Sequence, residues 1–122
     1  MSDAAPAPNP AVDVVCLCAA WCGTCREYAE AFARLAREQP QARFHWVDVE
    51  DDADLVDELD VENFPTALIG VGGAPVFFGV LLPHIQTLER LVQDAADLRP
   101  LADNAESRAL RQLLAALAQR AA

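Results

Sequence analysis

The 122 residues carry 19 Asp and Glu against 9 Arg and no Lys, a formal net charge of −10, and 53% of them are hydrophobic. That length and apolar content suit one domain with a single core and lie outside the disordered range. An acidic chain without a basic cluster argues against nucleic acid and anionic membrane surfaces as partners, and no apolar run approaches a membrane span.

Residues 1–11 hold Pro6, Pro8 and Pro10 among small residues, which predicts a flexible leader. The leader has neither a basic n-region nor an apolar h-region, so it does not read as a secretory signal, and the expected location is cytoplasmic. Val12 to Cys18 is continuously apolar in character and predicts a strand at the centre of a sheet covered on both faces. A helical pattern runs from Arg26 to about Glu38, with Tyr28, Phe32, Leu35 and Ala36 on one stripe, and Pro40 closes it. Phe44 to Val49 predicts a second strand, parallel to the first through a right-handed crossover. Asp51 to Leu59 predicts a short acidic helix turned inward by Leu55, Val56 and Leu59. Thr66 to Gly70 and Val76 to Val80 predict an antiparallel pair joined by a turn at Gly72-Gly73. Pro83 suits the first turn of a helix whose apolar face is Ile85, Leu88, Leu91 and Val92. Pro100 breaks the chain, and Asn104 to Gln119 predicts a last helix with Leu110, Leu113, Leu114 and Leu117 on one face.

The chemistry concentrates in Trp21-Cys22-Gly23-Thr24-Cys25, at the seam between the first strand and the first helix. A helix N-terminus presents unpaired N–H groups and the positive end of the macrodipole, and both stabilise an anion. A thiolate there has a lowered pKa and is a nucleophile near neutral pH. A second thiol one turn later attacks a mixed disulfide and closes an intramolecular one. Cys22 is therefore the candidate attacking thiol and Cys25 the candidate resolving thiol. The alternatives are inert buried cysteines or half of a metal site.

This motif, followed about forty residues later by Phe64-Pro65-Thr66, resembles the thioredoxin family. Val47-Asp48-Val49-Glu50-Asp51, leading into Asp60 to Thr66, matches the same pattern, and the resemblance covers about residues 12 to 95. It implies thiol–disulfide exchange on protein disulfides, with no dissociable cofactor and no metal. It implies a recycling reductant, such as a thioredoxin-reductase-like enzyme. Trp21 would shield the dithiol and offer a flat surface to a docked polypeptide. Pro65 would be cis, opposite Cys22, keeping metals from the thiolates; the backbone of Phe64 would pair with substrate as an added strand, with Thr66 following.

The chain also departs from the family. A typical thioredoxin begins with a further strand and helix, and residues 1–11 leave little room for both. The expected fold is therefore thioredoxin-like α/β: a four-stranded mixed sheet flanked by helices, shortened at the N-terminus and extended by a C-terminal helix. The units would be a leader (1–11), a thioredoxin-like domain (12–99) and a helical extension (100–122). The last helix would dock on its own domain; the alternative is a helix for homodimerisation or a partner. Glu30 stands where many members carry a kinking proline. Gly23 and Thr24 lie between the cysteines and tune the thiolate. Thr24 replaces the commoner proline, and the expected potential lies between about −270 and about −180 mV. Cys16 occupies the position of a buried Asp that helps move the resolving thiol's proton, and Trp46 that of a nearby Lys. The loss of that pair motivates the alternative function, a thioredoxin-fold binding module or assembly factor with little redox turnover. Cys16 and Cys18 share one face of the first strand and read as small hydrophobes; a thiol relay with Cys25 and a four-cysteine metal site are the alternatives. His45 and His84 fall in no catalytic set and read as structural or surface residues.

Overall fold

The computed structural model describes residues 11–19, 23–59, 61, 64–81 and 84–121, with the side chains of Thr24 and Ala121 outside that description. Four strands, β1 (Val12–Cys18), β2 (Ala42–Asp48), β3 (Thr66–Val71) and β4 (Ala74–Val80), form one mixed sheet in the order β2-β1-β3-β4. The β1–β2 pair is parallel, and β3 is antiparallel to both of its neighbours. The helices are α1 (Gly23–Glu38), α2 (Ala53–Val56), α3 (Ile85–Asp94) and α4 (Ala105–Ala121), with a 3-10 turn at Ala95–Asp97 after α3.

Side-chain alternation along β1 divides the core into two layers. Val14, Cys16 and Cys18 face Tyr28, Phe32 and Leu35 of α1 and Leu88 and Val92 of α3. Val15 and Leu17 face the opposite way, onto Val56 of α2 and Leu110, Leu113, Leu114 and Leu117 of α4. A strand covered on both faces carries apolar residues toward each, and this accounts for the apolar character of β1, interrupted at Asp13 alone.

Helix α4 is thus part of the domain's own core. Its apolar stripe, which the sequence also offered to a second copy, is covered by the sheet, and its four leucines are 0–1% exposed. Its start is held by a reciprocal cap: Ser107 N–H donates to Asn104 Oδ1 at 2.8 Å, and Asn104 N–H donates to Ser107 Oγ at 2.9 Å. Arg120 near its other end reaches Asp52 Oδ1 at 3.1 Å. The helix approaches β3 closely because Gly70 has no side chain: a Cβ there would lie 2.6 Å from Leu114 Cδ1 and 2.9 Å from Cδ2. We expect Gly70→Val to lower the free energy of unfolding by about 2 kcal/mol through overpacking, measured by urea denaturation. An unchanged midpoint would mean that α4 is held away from the sheet.

Several boundaries differ from the sequence expectation, three of them with a visible cause. The acidic helix is the single turn Ala53–Val56 and does not span 51–59. The Asp48 carboxylate accepts the N–H groups of Glu50 (2.8 Å) and Asp51 (3.2 Å), so a side-chain-held turn occupies the start of that stretch. Strand β2 begins at Ala42, two residues before Phe44, because the parallel ladder continues through Val12↔Ala42 and Asp13↔Arg43. Strand β4 begins at Ala74, directly after Gly72 and Gly73, whose φ angles of 60° and 85° make the tight two-residue hairpin. Pro83 and residues 1–10 of the leader lie outside the described residues. No described helix is long and apolar enough to cross a membrane.

Candidate functional site

The dithiol segment follows from the local chain path. Strand β1 is central and ends at Cys18, and α1 opens at Gly23, so Cys25 stands in the first turn of a 16-residue helix. Its neighbouring backbone N–H groups are those that an intrahelical ladder leaves without partners. The Cys25 side chain turns inward and is 1% exposed. Gly23 is exposed, with no atom within 4 Å of where a Cβ would stand, so nothing steric in the described residues demands glycine there. Trp21, Cys22 and the Thr24 side chain lie outside the described residues.

Sheet register brings a second segment to the same end. Thr66, the first residue of β3, pairs with Leu17, one residue before the end of β1. Pro65 therefore lies beside the place where the chain leaves β1 for α1. Its peptide bond with Phe64 is cis, the residue is buried, and its carbonyl accepts the N–H of Leu81 at 2.9 Å. Thr66 is 3% exposed, and Phe64 packs partly buried against the α1-side core. The structure thus gathers Cys25, Phe64, Pro65 and Thr66 at one end of the sheet.

Beneath that end lies a sulfur-rich layer. Cys16 and Cys18 have Sγ atoms 3.5 Å apart and belong to the same buried cluster as Cys25 and Tyr28. Cys16 stands opposite Trp46 in the β1–β2 register, so the two positions that carry an ionic pair in the resemblance are neighbours here as well. The pair is a thiol and an indole, and the indole packs edge-on against Phe32 at 5.6 Å between ring centroids. Among the described residues no three His, Cys, Asp or Glu side chains converge to hold a metal ion.

Two polar features escaped the sequence reading. Asp13 is buried on the other side of β1, bound by Arg43 (Nε to Oδ1, 2.8 Å) and by His45 (Nε2 to Oδ1, 2.9 Å). A carboxylate inside an apolar strand was its only trace in the sequence, and its partners come from β2 by register. Tyr28, read as one more apolar position of the α1 stripe, is 3% exposed, and its hydroxyl has no hydrogen-bond partner among the described residues. Burial pushes the phenol pKa well above its usual value, and negative charge on Cys16 or Cys18 would push it the same way. The phenol is therefore a neutral O–H group at any physiological pH.

Comparison with known proteins agrees with this geometry. The family model described as Thioredoxin matches residues 8–79. Thioredoxin-2 of Saccharomyces cerevisiae is 31% identical over 74 residues, covering 61% of this chain and 71% of that protein. A Thioredoxin H-type of Oryza sativa subsp. indica is 38% identical over 63 residues, where the match spans 52% of each protein. Among solved structures, Fasciola hepatica thioredoxin superposes with a TM-score of 0.64 at 27% identity, over 70% of this chain and 82% of that one. Mitochondrial thioredoxin 3 of S. cerevisiae, in oxidized form, gives 0.63 at 25% identity, over 71% of this chain and 81% of that one. With its matched fold, its paired cysteines and its Phe64-Pro65-Thr66 segment, the chain belongs to the thioredoxin family of thiol–disulfide oxidoreductases.

Proposed function

We propose that the chain reduces protein disulfides through Cys22 and Cys25. Cys22 attacks one sulfur of the substrate disulfide, forming a mixed disulfide and releasing a substrate thiolate, which takes up a proton. Cys25 then loses its proton and attacks Cys22 Sγ, expelling the second substrate thiolate and leaving the Cys22–Cys25 disulfide. Trp21 and the segment Phe64-Pro65-Thr66 form the surface on which the substrate backbone lies, and Gly23, Thr24 and Cys16 tune the dithiol. The observation that carries this reading is the placement of the buried Cys25 side chain in the first turn of α1, at the sheet end that also holds Pro65.

A recycling reductant of the thioredoxin-reductase type completes the cycle, and a reducing compartment such as the cytoplasm suits a dithiol that donates electrons. A homodimer through α4 would have to use its exposed polar face, since the leucine face is occupied. We assign three segments, a leader (1–11), a thioredoxin-like segment (12–99) and a helical extension (100–122), the last packed into the core of the second.

A glutathione redox titration, read by thiol alkylation and intact mass, tests the proposal. The expected result is a two-electron transition between about −270 and about −180 mV that vanishes in Cys22→Ser. A transition that survives the substitution would rule Cys22 out. No transition at all would favour a binding module, a reading that the absence of a carboxylate at Cys16 supports.

A further inference from the structure

Among the described residues, the α1-side core contains one polar atom that its packing does not explain. Tyr28 could be Phe without loss of ring volume or contacts. Its hydroxyl is buried and has no partner among the described residues, a state that costs about 1–3 kcal/mol relative to a satisfied group. A buried unsatisfied group calls for an explanation, and a redox or catalytic role is one kind. The question is which atom near Tyr28 becomes a strong acceptor during the reaction.

Geometry narrows the answer. Tyr28 lies three residues after Cys25 on α1, and both side chains are buried in the same cluster. Residues at this spacing are neighbours on a helix face. Long helical side chains point back toward the N-terminus, onto the turn that precedes them. The turn preceding Tyr28 is that of Cys25, and the same cluster holds Cys16 and Cys18, whose sulfurs face each other at 3.5 Å. A thiol sulfur is a weak acceptor, whereas a thiolate is a strong one whose hydrogen bonds are charge-assisted. Cys25 is the thiol that must ionise for the resolving step, and it stands in a helix N-terminal turn that stabilises negative charge. Its surroundings have no carboxylate at Cys16 to receive the departing proton and no cation at Trp46.

We infer that Tyr28 is a positioning residue for the resolving step: its hydroxyl, buried one helical turn after Cys25, donates a hydrogen bond to the Cys25 thiolate. The tyrosine stays protonated throughout. The Cys25 proton passes to solvent, the substrate thiolate leaving Cys22 takes one up, and no external oxidant or reductant enters the step. The inference rests on the proposed roles of Cys22 and Cys25. It assigns to a phenol donor part of the work that a buried carboxylate does when one is present.

The test follows the two sulfurs separately. The reduced protein is mixed with a bis(nitrobenzoate) disulfide, which releases one coloured thiolate when Cys22 attacks and a second when Cys25 resolves the adduct. In Tyr28→Phe the first release is expected at the wild-type rate. The second is expected about tenfold slower near neutral pH, with its pH midpoint about one unit higher, because one pKa unit is a tenfold change in thiolate fraction. The thermal midpoint of Tyr28→Phe is expected to equal or exceed that of wild type, since the substitution removes a buried hydroxyl without a partner among the described residues. A second release at the wild-type rate and midpoint overturns the inference, as does equal slowing of both releases, which marks a packing defect. Cys22→Ser separates the two levels. If it still gives a fast first release, the assignment of Cys22 fails and takes this inference with it. If it is silent while Tyr28→Phe behaves as wild type, only the role of Tyr28 falls.

Discussion

A chain ended at Arg99 is expected to lose cooperative folding. Residues 100–122 lie beyond the segment matched to the family, yet α4 supplies Leu110, Leu113, Leu114 and Leu117, all 0–1% exposed. Fully burying one leucine contributes about 1.5–3 kcal/mol, so the four together contribute on the order of 6–12 kcal/mol. The whole stability of a domain is about 5–15 kcal/mol. Truncation would also open Val15, Leu17 and Leu68, each 0% exposed in the intact chain, to water. The measurement is circular dichroism through a thermal ramp, with dye binding to report exposed apolar surface. We expect a sloping trace without a transition, and strong dye binding at low temperature. A cooperative transition within a few degrees of wild type would show that α4 is an appendage and that residues 12–99 fold alone.

The second large effect is expected from Cys25→Ser. Attack by Cys22 does not need Cys25, so the variant should form the mixed disulfide and stop there. Resolution by a neighbouring thiol is intramolecular, and well-oriented intramolecular reactions reach effective molarities of about 10⁵ M or more. Millimolar solution thiols cannot replace that, and turnover on a protein disulfide should fall about a thousandfold or more. The accumulated adduct is read by intact mass under non-reducing conditions, and dithiothreitol should release it. A serine hydroxyl in this buried cluster costs about 1–3 kcal/mol if it finds no acceptor, so a thermal melt accompanies the assay to confirm that the variant is folded. Sustained turnover, or a folded variant that forms no adduct, would remove Cys25 from the resolving role.

Where local pattern and tertiary partner coincide, the sequence was sufficient. The bounds of β1 match the apolar run because a doubly covered strand has no solvent side to encode. The stripe Tyr28, Phe32 and Leu35 marks α1 because helical period and buried face are one property. The hairpin follows from Gly72-Gly73, since φ above zero at two successive positions is a local demand that glycine meets without strain. At the site, the spacing of Cys22 and Cys25 and the Phe64-Pro65-Thr66 segment pointed to the family.

Other features depended on the partners that polar side chains find. The acidic helix shrank because Asp48 reaches forward to two backbone N–H groups, a competition that periodicity does not register. Asp13 is stable inside β1 only because the parallel register brings Arg43 and His45 beside it.

By itself, then, the sequence determined the order of strands and helices, the dithiol at a strand–helix seam and the thioredoxin family, because each is carried by neighbours along the chain. The tertiary structure alone decided that α4 covers the sheet's second face through Gly70, and that the Tyr28 hydroxyl is buried in the cluster that also holds Cys16, Cys18 and Cys25. Periodicity specifies which face of an element is apolar. Which surface covers that face, and which polar atom is enclosed with it, is settled only when segments far apart in sequence pack together.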